Sequence, residues 1–218
     1  YPDGDVVGFA PNGFGAPTEA ERQARTVRST QIYASDAQYY PSSSIDSFKY
    51  GNGLTHKTIL NNRNLPQSIK DSKSGLTALS YNYTYDDNLN VRSITDNINS
   101  AYSLTNLTYD GLDRLKTTTG GTNIGSSSIS YDGLGNITKY NSKGQNLDYN
   151  YNATTNLLTS VTSISGKYSA FAYDDRGNIA TSRRVGSDSI ETYTYDANGN
   201  NTLVVESSGG SATYETVR

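Results

Sequence analysis

The chain has 218 residues, of which 33% are hydrophobic, 11% aromatic and 18% charged, with a formal net charge of −3. Counting its 20 glycines in place of its 19 tyrosines, as apolar counts usually do, leaves the fraction near 33%, against roughly 45–50% in typical globular domains. The aliphatic content is therefore too low for a thick core, while the aromatic content and small net charge argue against disorder. The charge balance also excludes an electrostatic footprint for nucleic acid or an anionic membrane.

Cysteine and methionine are both absent from the chain. Disulfides and thiolate metal sites are therefore excluded. No stretch approaches the roughly 18 consecutive apolar residues that a membrane-spanning helix needs, and no signal peptide opens the chain. Because Tyr1 is not an initiator methionine, we expect the chain to be a piece of a longer protein or the product of processing.

The first 84 residues are predicted to hold degenerate repeats. Residues 1–17 contain three of the five prolines and several glycines, which indicates short strands broken by turns. Residues 18–28 are the one helix-compatible window, with Thr18 as a candidate N-cap, although the apolar periodicity is poor. Further on, Tyr50 to Leu54 keeps a tyrosine and a turn, and Leu60 to Pro66 has leucine in place of the tyrosine.

From residue 85 the chain repeats one phrase six times: a tyrosine, an aspartate or asparagine, a turn-forming cluster and usually an aliphatic residue. Successive tyrosines lie 24, 22, 20, 22 and 22 residues apart. A period in this range indicates supersecondary units stacked on their neighbours rather than one globular core. The predicted structural motif consists of Tyr85, Asp86, Tyr109, Asp110, Tyr131, Asp132, Gly135, Tyr151, Asn152, Tyr173, Asp174, Gly177, Tyr195, Asp196 and Gly199.

Each copy has the pattern of a β-hairpin. The approach alternates, as in Tyr81 to Tyr85 and Tyr149 to Tyr151, which predicts a strand with one tyrosine-bearing face. Glycine and asparagine in the cluster tolerate positive φ, and the aspartate can accept hydrogen bonds from turn amides. All five spacings are even, so the tyrosines share one face of the sheet unless a β-bulge resets the alternation.

The tyrosine-aspartate phrase, its spacing and the segment Tyr50 to Thr55 together resemble the Rhs/YD-repeat family over essentially the whole chain. In that family the repeats form a long β-sheet that spirals into a hollow shell. The shell encloses a C-terminal toxin domain in bacterial polymorphic toxins and insecticidal toxin complexes, and teneurin-like cell-surface receptors use a related barrel. The predicted fold is therefore all-β, an array of antiparallel hairpins in a continuous curved or spiralling sheet, part of a shell or fibre.

The chain departs from that family's pattern after the array. Family members close their shell with a plug-and-protease region rich in Asp-Pro-x-Gly motifs, followed by a variable toxin. Here the last proline is Pro66, so no such motif follows the repeats. Neither self-cleavage nor a toxic activity is carried over from the resemblance.

The repeated aspartates invite a catalytic interpretation, since glycoside hydrolysis uses two carboxylates about 5–10 Å apart. A catalytic pair should be singular and asymmetric, whereas one acid per repeat at a fixed position is what a turn cap predicts. Calcium is a second alternative, but Asp-x-Asp-x-Asp spacing is absent and calcium-binding β-helices have a much shorter repeat. The sequence predicts no catalytic, metal or cofactor site.

His56 is the single histidine, so a Ser-His-Asp triad would have to be built around it. Its neighbours Thr55 and Lys57 lie in a predicted strand, and the glycine-flanked serine of a nucleophile elbow is absent. We expect a strand histidine that faces solvent or a neighbouring tyrosine.

Sugars enter the interpretation in two ways. The tyrosine face could stack on sugar rings, although an aromatic on every strand also seals a thin sheet. Asn-x-Ser/Thr acceptor sites matter only if the source is eukaryotic or the protein is visibly glycosylated. These acceptors are Asn82, Asn106, Asn136, Asn152 and Asn200.

Two functions from different classes follow. The first is a non-enzymatic segment of an Rhs-type shell that encloses a toxin domain of a larger bacterial protein, secreted or at the cell surface. The second is an extracellular fibre or adhesin whose subunits pair through open sheet edges, with carbohydrate as a further partner. Neighbouring repeats or identical subunits are the expected partners, without nucleic acid, cofactor or membrane span. The predicted divisions of this one architecture are 1–49 and 50–84, both degenerate, and 85–218, the regular array.

Overall fold

The structure is a computed structural model that describes residues 6–23, 31–163, 166–184, 189–208 and 211–217. Its elements in these ranges are β-strands apart from one short 3-10 helix, Ser100–Tyr102. The all-β class and the antiparallel hairpin array predicted from the sequence are confirmed.

The chain divides into two compact units, residues 1–114 with 118–125 and residues 115–117 with 126–218. The division falls within strand β10 (Leu115–Gly120). The other strands of the first unit are β1 (Val7–Gly8), β2 (Ala20–Arg22), β3 (Gln31–Tyr39), β4 (Ile45–Tyr50), β5 (Thr55–Leu60), β6 (Pro66–Lys73), β7 (Leu76–Tyr85), β8 (Val91–Asp96) and β9 (Leu104–Tyr109). Those of the second unit are β11 (Ser127–Tyr131), β12 (Ile137–Ser142), β13 (Gln145–Tyr151), β14 (Leu158–Ser163), β15 (Gly166–Tyr173), β16 (Ile179–Arg184), β17 (Ser189–Tyr195), β18 (Asn201–Ser208) and β19 (Ser211–Val217).

Consecutive strands pair antiparallel within each unit. Strands β1 to β9 pair in chain order in the first unit. Strands β11 to β19 do the same in the second. Antiparallel neighbours need only short connections, and residues 74–75 and 143–144 are two-residue examples. Chain order therefore becomes spatial order, which is what a hairpin array requires.

A β-bulge follows the repeat turn. Tyr151 pairs with Leu158 while Asn150 pairs with Ser160, so Thr159 is left over on the returning strand. A bulge of this kind bends the strand and increases its local twist. Because the bulge recurs at the same place, the repeats keep equivalent positions. The same register shift occurs at Tyr85, Tyr131, Tyr173 and Tyr195.

The strands bury one face in part. Along β13, Tyr149 and Tyr151 are half-buried, whereas Asp148 and Asn150 are exposed. Tyr149 lies opposite Val161, which is buried, with 8% exposure. An aromatic ring opposite a β-branched side chain stabilises a sheet across its strands. Cross-strand pairs of this type take the place of a thick core, in agreement with the low aliphatic content.

Two connections depart from the regular pattern. The spacing of 24 residues between Tyr85 and Tyr109 comes from an irregular link, residues 97–103, which includes the 3-10 helix. Near the N-terminus, the helix-compatible window instead contains β2, which pairs with β1 and β3. Residues 24–28 of that window lie outside the described part of the chain.

Candidate functional site

The aspartate of each repeat opens the turn and caps it from within. Asp132 Oδ1 accepts hydrogen bonds from the backbone N–H groups of Leu134 and Asn136, both at 2.9 Å. Its Oδ2 accepts from Asn136 Nδ2 at 2.8 Å. The Asp132 N–H also donates to the Asn136 carbonyl at 2.9 Å. One side chain thus satisfies two amides that the turn would otherwise leave to water.

The same cap recurs through the array. Four further aspartates accept from the amides two and four residues on, at 2.8–3.1 Å. Asn152 opens a turn with one more residue, and its Oδ1 accepts from the amides of Thr154 and Thr155 at 2.9 Å. The four aspartates are Asp86, Asp110, Asp174 and Asp196.

Two upstream turns share this cap. Asn61 and Asn12 each accept, through Oδ1, from the amides two and four residues on, at 2.8–3.1 Å. Sequence reasoning placed a degenerate repeat at Asn61 and turns within residues 1–17, but it did not identify Asn12 as the cap of a repeat-type turn. The signal was present, because Asn-Gly-Phe-Gly at residues 12–15 has the spacing of Asp-Gly-Leu-Gly at residues 132–135. An asparagine serves as well as an aspartate, since one side-chain oxygen is what the two amides need.

Hydrogen bonding favours the ionised form of four of the carboxyls that open the turns. The side-chain amide of Asn136 is the main cause of a lowered pKa at Asp132. The asparagine four residues on likewise lowers the pKa of the turn aspartate in the last two repeats. Arg114 lowers the pKa of Asp110, with its Nε 2.7 Å from Oδ2. A carboxylate held ionised as an acceptor does not suit the general acid of a glycosidase, whose pKa must be raised.

The fourth turn position has a left-handed backbone. Gly135, Gly177 and Gly199 occupy it with φ of 91°, 86° and 83°, whereas Leu89 has φ of 73°. A side chain in this region costs about 1–2 kcal/mol. Leu89 is 49% exposed, so its removal would lose little buried apolar surface.

We expect Leu89→Gly to stabilise the chain by about 1 kcal/mol, measured by urea unfolding. The reverse change, Gly135→Leu, should destabilise the chain. A loss of stability in Leu89→Gly would contradict the presence of backbone strain at Leu89.

The tyrosine before each turn reaches back to the preceding hairpin. Tyr151 Oη donates to the carbonyl of Ile137, the first residue of β12, at 2.9 Å. Backbone pairing between β12 and β13 ends at Lys139 and Asp148, so the hydroxyl joins two strands where their ladder has stopped. We call this contact the tyrosine bridge. The other bridges, at 2.8–3.0 Å, run from Tyr85 to Pro66, Tyr109 to Val91, Tyr131 to Leu115, Tyr173 to Leu158 and Tyr195 to Ile179.

Each tyrosine bridge combines apolar and polar stabilisation. The ring is half-buried, and its hydroxyl satisfies a carbonyl at the start of a returning strand, where the bulge interrupts the ladder. Farther upstream, Tyr39 and Tyr40 donate to the carbonyls of Pro17 and Thr58 in a comparable way. The even spacing of the tyrosines was the sequence signal for this repetition, but the acceptor lies on another hairpin and has no local signature.

The bridge tyrosines make stability sensitive to alkali. Burial is the main cause of a raised pKa at Tyr109, Tyr151 and Tyr173. Tyr193 is not a bridge tyrosine, but burial, and then its hydrogen bond to Glu191, raises its pKa to about 12 in the same way. A raised folded-state pKa favours the neutral tyrosine, so the stabilisation is complete below the unfolded value of about 10 and is lost as pH rises through the folded value.

We therefore expect the urea midpoint to hold up to about pH 9 and to fall steadily above about pH 10. Circular dichroism during urea titrations at a series of pH values measures this. A part of the tyrosinate absorbance, that of the half-buried tyrosines, should appear only with unfolding. Full tyrosine ionisation at an unchanged midpoint would contradict the prediction.

Neighbouring turns also contact each other side by side. Asp113 Oδ1 accepts from Nδ2 of both Asn88 and Asn90, at 3.0 and 2.8 Å. In the second unit, Asn136 Nδ2 donates to Asn156 Oδ1 at 2.9 Å. These groups are largely exposed, so the bonds align the turns more than they stabilise them.

His56 lies in a polar cluster on β4, β5 and β6. Its Nδ1 is 2.7 Å from Asp71 Oδ1, and its Nε2 is 3.0 Å from Thr58 Oγ1. The ring stacks on Phe48 and lies edge-on to Tyr50, so a neighbouring tyrosine is present, but the side chain is only 17% exposed and does not face open solvent. The order of Asp, His and Thr is that of a hydrolytic triad. Thr58, however, is 7% exposed, which leaves its hydroxyl without access for a substrate.

The aspartates of the repeats serve as hydrogen-bond acceptors. Each aspartate that opens a repeat turn is hydrogen-bonded within its own turn, and no group of three His, Cys, Asp or Glu side chains in the described ranges is placed to hold a metal ion. No helix among the described residues is long and apolar enough to cross a membrane. The repeated feature of this surface is the combination of turn cap and tyrosine bridge.

Among the solved structures similar to this chain are a Tc holotoxin pore and crystal structures of TcdB2-TccC3. A chain of the Photorhabdus luminescens Tc holotoxin pore, carrying a TccC3 mutation, matches 96% of this chain at 16% identity with a TM-score of 0.65. A TcdB2-TccC3 crystal structure matches 98% at 15% identity with a TM-score of 0.64. The chain shares the fold of these proteins.

The matched region is a small part of those proteins, because this chain spans 12% of the length of the first and 14% of the second. No protein-family model and no curated protein sequence matches the chain. At such low identity the likeness is one of fold. It agrees with the resemblance to the Rhs/YD-repeat family, which rests on the repeat phrase and its spacing.

Proposed function

We propose that the chain is a structural, non-enzymatic segment of a β-shell that encloses a toxin domain of a larger, secreted bacterial protein of the Rhs type. The tyrosine bridge carries this proposal. It joins one hairpin to the next where the backbone ladder stops, and it recurs in all six repeats. A continuous β-wall needs the same contact between every pair of neighbouring hairpins, whereas a catalytic or binding module needs one unique site.

The chemistry of the turns supports the same function. The turn aspartates are bound as hydrogen-bond acceptors, and the one histidine lies beside a buried threonine. The fold shared with the TcdB2-TccC3 chains supports a place in a larger toxin assembly. The segment would contribute wall area, with neighbouring repeats of the parent chain as its direct partners.

Limited proteolysis of the full-length parent protein tests containment. The enclosed region should resist digestion in the wild type and become cleavable in the triple variant Tyr131→Phe, Tyr151→Phe, Tyr173→Phe, which removes three bridge hydroxyls. Tyr102→Phe is the matched control, because Tyr102 is 51% exposed and forms no bridge. If the enclosed region of the wild type is digested as rapidly as that of the triple variant, the proposal is overturned.

Electron microscopy of the purified chain separates the shell from the alternative fibre. Closed or partial shells support containment. Regular filaments built through paired sheet edges would instead establish the fibre or adhesin function.

A further inference from the structure

A groove in the first unit lies between the turn at residues 12–16 and the turn at residues 40–43. Its volume is 570 Å³, within the roughly 300–1,000 Å³ of small-ligand sites. Phe14 stands at its rim and is 99% exposed. Tyr39, Tyr40 and Pro41 also line it. We propose that this groove binds a neutral sugar ring, with the Phe14 ring as a stacking surface.

The walls of the groove are fixed before any ligand arrives. Asn12 Oδ1 holds the amides of Phe14 and Ala16 at 2.9 and 3.0 Å, so the turn that presents the Phe14 ring is capped. On the other side, the hydroxyls of Tyr39 and Tyr40 donate to backbone carbonyls of Pro17 and Thr58. A preformed site of this kind loses little conformational entropy when it binds a ligand.

The lining identifies an uncharged, hydroxyl-rich ligand. All the residues that line the groove are neutral, and the Asp46 carboxylate beside Tyr40 is paired with Lys57, so the groove offers no unpaired charge to a phosphate, a carboxylate or an ammonium group. Gln38 is exposed, and its amide makes no hydrogen bond to the described part of the chain. Asn12 uses its Oδ1 for the cap and leaves Nδ2 as a donor. Aromatic rings beside side-chain amides match the apolar face and the hydroxyl groups of a pyranose.

A proline-rich peptide is the competing occupant, since aromatic-lined grooves also bind such segments. The two tyrosine hydroxyls already donate within this chain, so they remain only as acceptors, and a proline-rich peptide has few N–H groups to donate to them. A sugar hydroxyl can donate to the remaining lone pairs of Tyr39 and Tyr40 while it accepts from an amide. The hydrogen-bond inventory therefore favours the sugar.

Fluorine NMR of the chain labelled with 4-fluorophenylalanine tests the inference, because the sequence has four phenylalanines and hence four signals. Maltotriose, lactose and chitotriose are the probes. We expect at least one of them to shift the Phe14 signal, assigned through Phe14→Leu, while the Phe48 signal stays in place. Gln38→Ala should weaken binding, and Phe14→Ala, whose affinity is measured by titration calorimetry because it lacks the fluorine reporter, should weaken it about tenfold or more.

The matched control is Leu134→Ala. Leu134 is 76% exposed and occupies the same place in its turn as Phe14, two residues after the capping side chain. This variant should bind the sugar like the wild type, and all variants should keep the wild-type Tm. No Phe14 shift with any of the three sugars, or a shift with an octaproline peptide alone, would overturn the proposal. Containment is tested separately, since the proteolysis readout does not involve this groove.

Discussion

Gly51→Ala is expected to destabilise the chain by about 2–3 kcal/mol. A Cβ at this position would lie 2.1 Å from the Ile32 carbonyl oxygen and 3.1 Å from its carbon. Both atoms are backbone, and the Gly51 N–H donates to the Tyr33 carbonyl at 2.8 Å, so the strand cannot move away without losing that bond. Thermal unfolding should show a Tm lower by about 4–12 °C.

Gly133→Ala is the control for Gly51→Ala. It lies in a repeat turn where an added Cβ meets nothing within 4 Å, so its Tm should match the wild type. Because stability in a repeat array is largely local, hydrogen exchange in Gly51→Ala should accelerate first in β3 and β4. A wild-type Tm for Gly51→Ala would show that the close approach does not exist in solution.

Asp132→Ala is expected to lower the Tm by several degrees and to accelerate hydrogen exchange in the third repeat. The change removes the acceptor of two turn amides, and loss of a comparable helix cap is measurably destabilising. Asp132 has a lowered pKa, chiefly through the Asn136 amide, so its stabilisation is present above the unfolded value and is lost as pH falls through the folded one. The Tm gap between wild type and Asp132→Ala should therefore shrink in acid.

Asp132→Asn provides the decisive comparison. It keeps one side-chain oxygen for the two turn amides, as Asn61 and Asn152 do in their own turns, but it replaces the oxygen that accepts from Asn136 Nδ2 with a donor. Part of the stability lost in Asp132→Ala should therefore remain, now without the acid dependence. Equal destabilisation by alanine and asparagine would mean that the negative charge, rather than the acceptor oxygen, stabilises the turn.

The fold was predictable because its signals are local. Alternation such as that in Tyr81 to Tyr85 specifies a strand from its own residues, and the Asp-Gly and Gly-Asn clusters specify a turn in the same way. Since the hairpins pair in chain order, nothing remote had to be known to predict the antiparallel array. The helix-compatible window was the weak point, and there pairing with β1 and β3 places β2 in a sheet.

The contacts between hairpins could not be predicted, because they depend on register. The bridge from Tyr151 to Ile137 requires the bulge and the length of the connection that precedes it, which together set which carbonyl comes within reach. His56 shows the same limitation. Its partner Asp71 lies on the next strand, fifteen positions away, and no spacing rule connects the two residues.

Because aspartate and asparagine can both cap the turn, the charge at the turn can change without a change in its backbone structure. Because a neutral amide oxygen can replace a carboxylate at the same two amides, the turns can gain or lose negative charge over evolution while the backbone stays the same. Related arrays can therefore adjust the electrostatic repulsion between molecules, and the attraction of charged partners, at these turns without changing the fold.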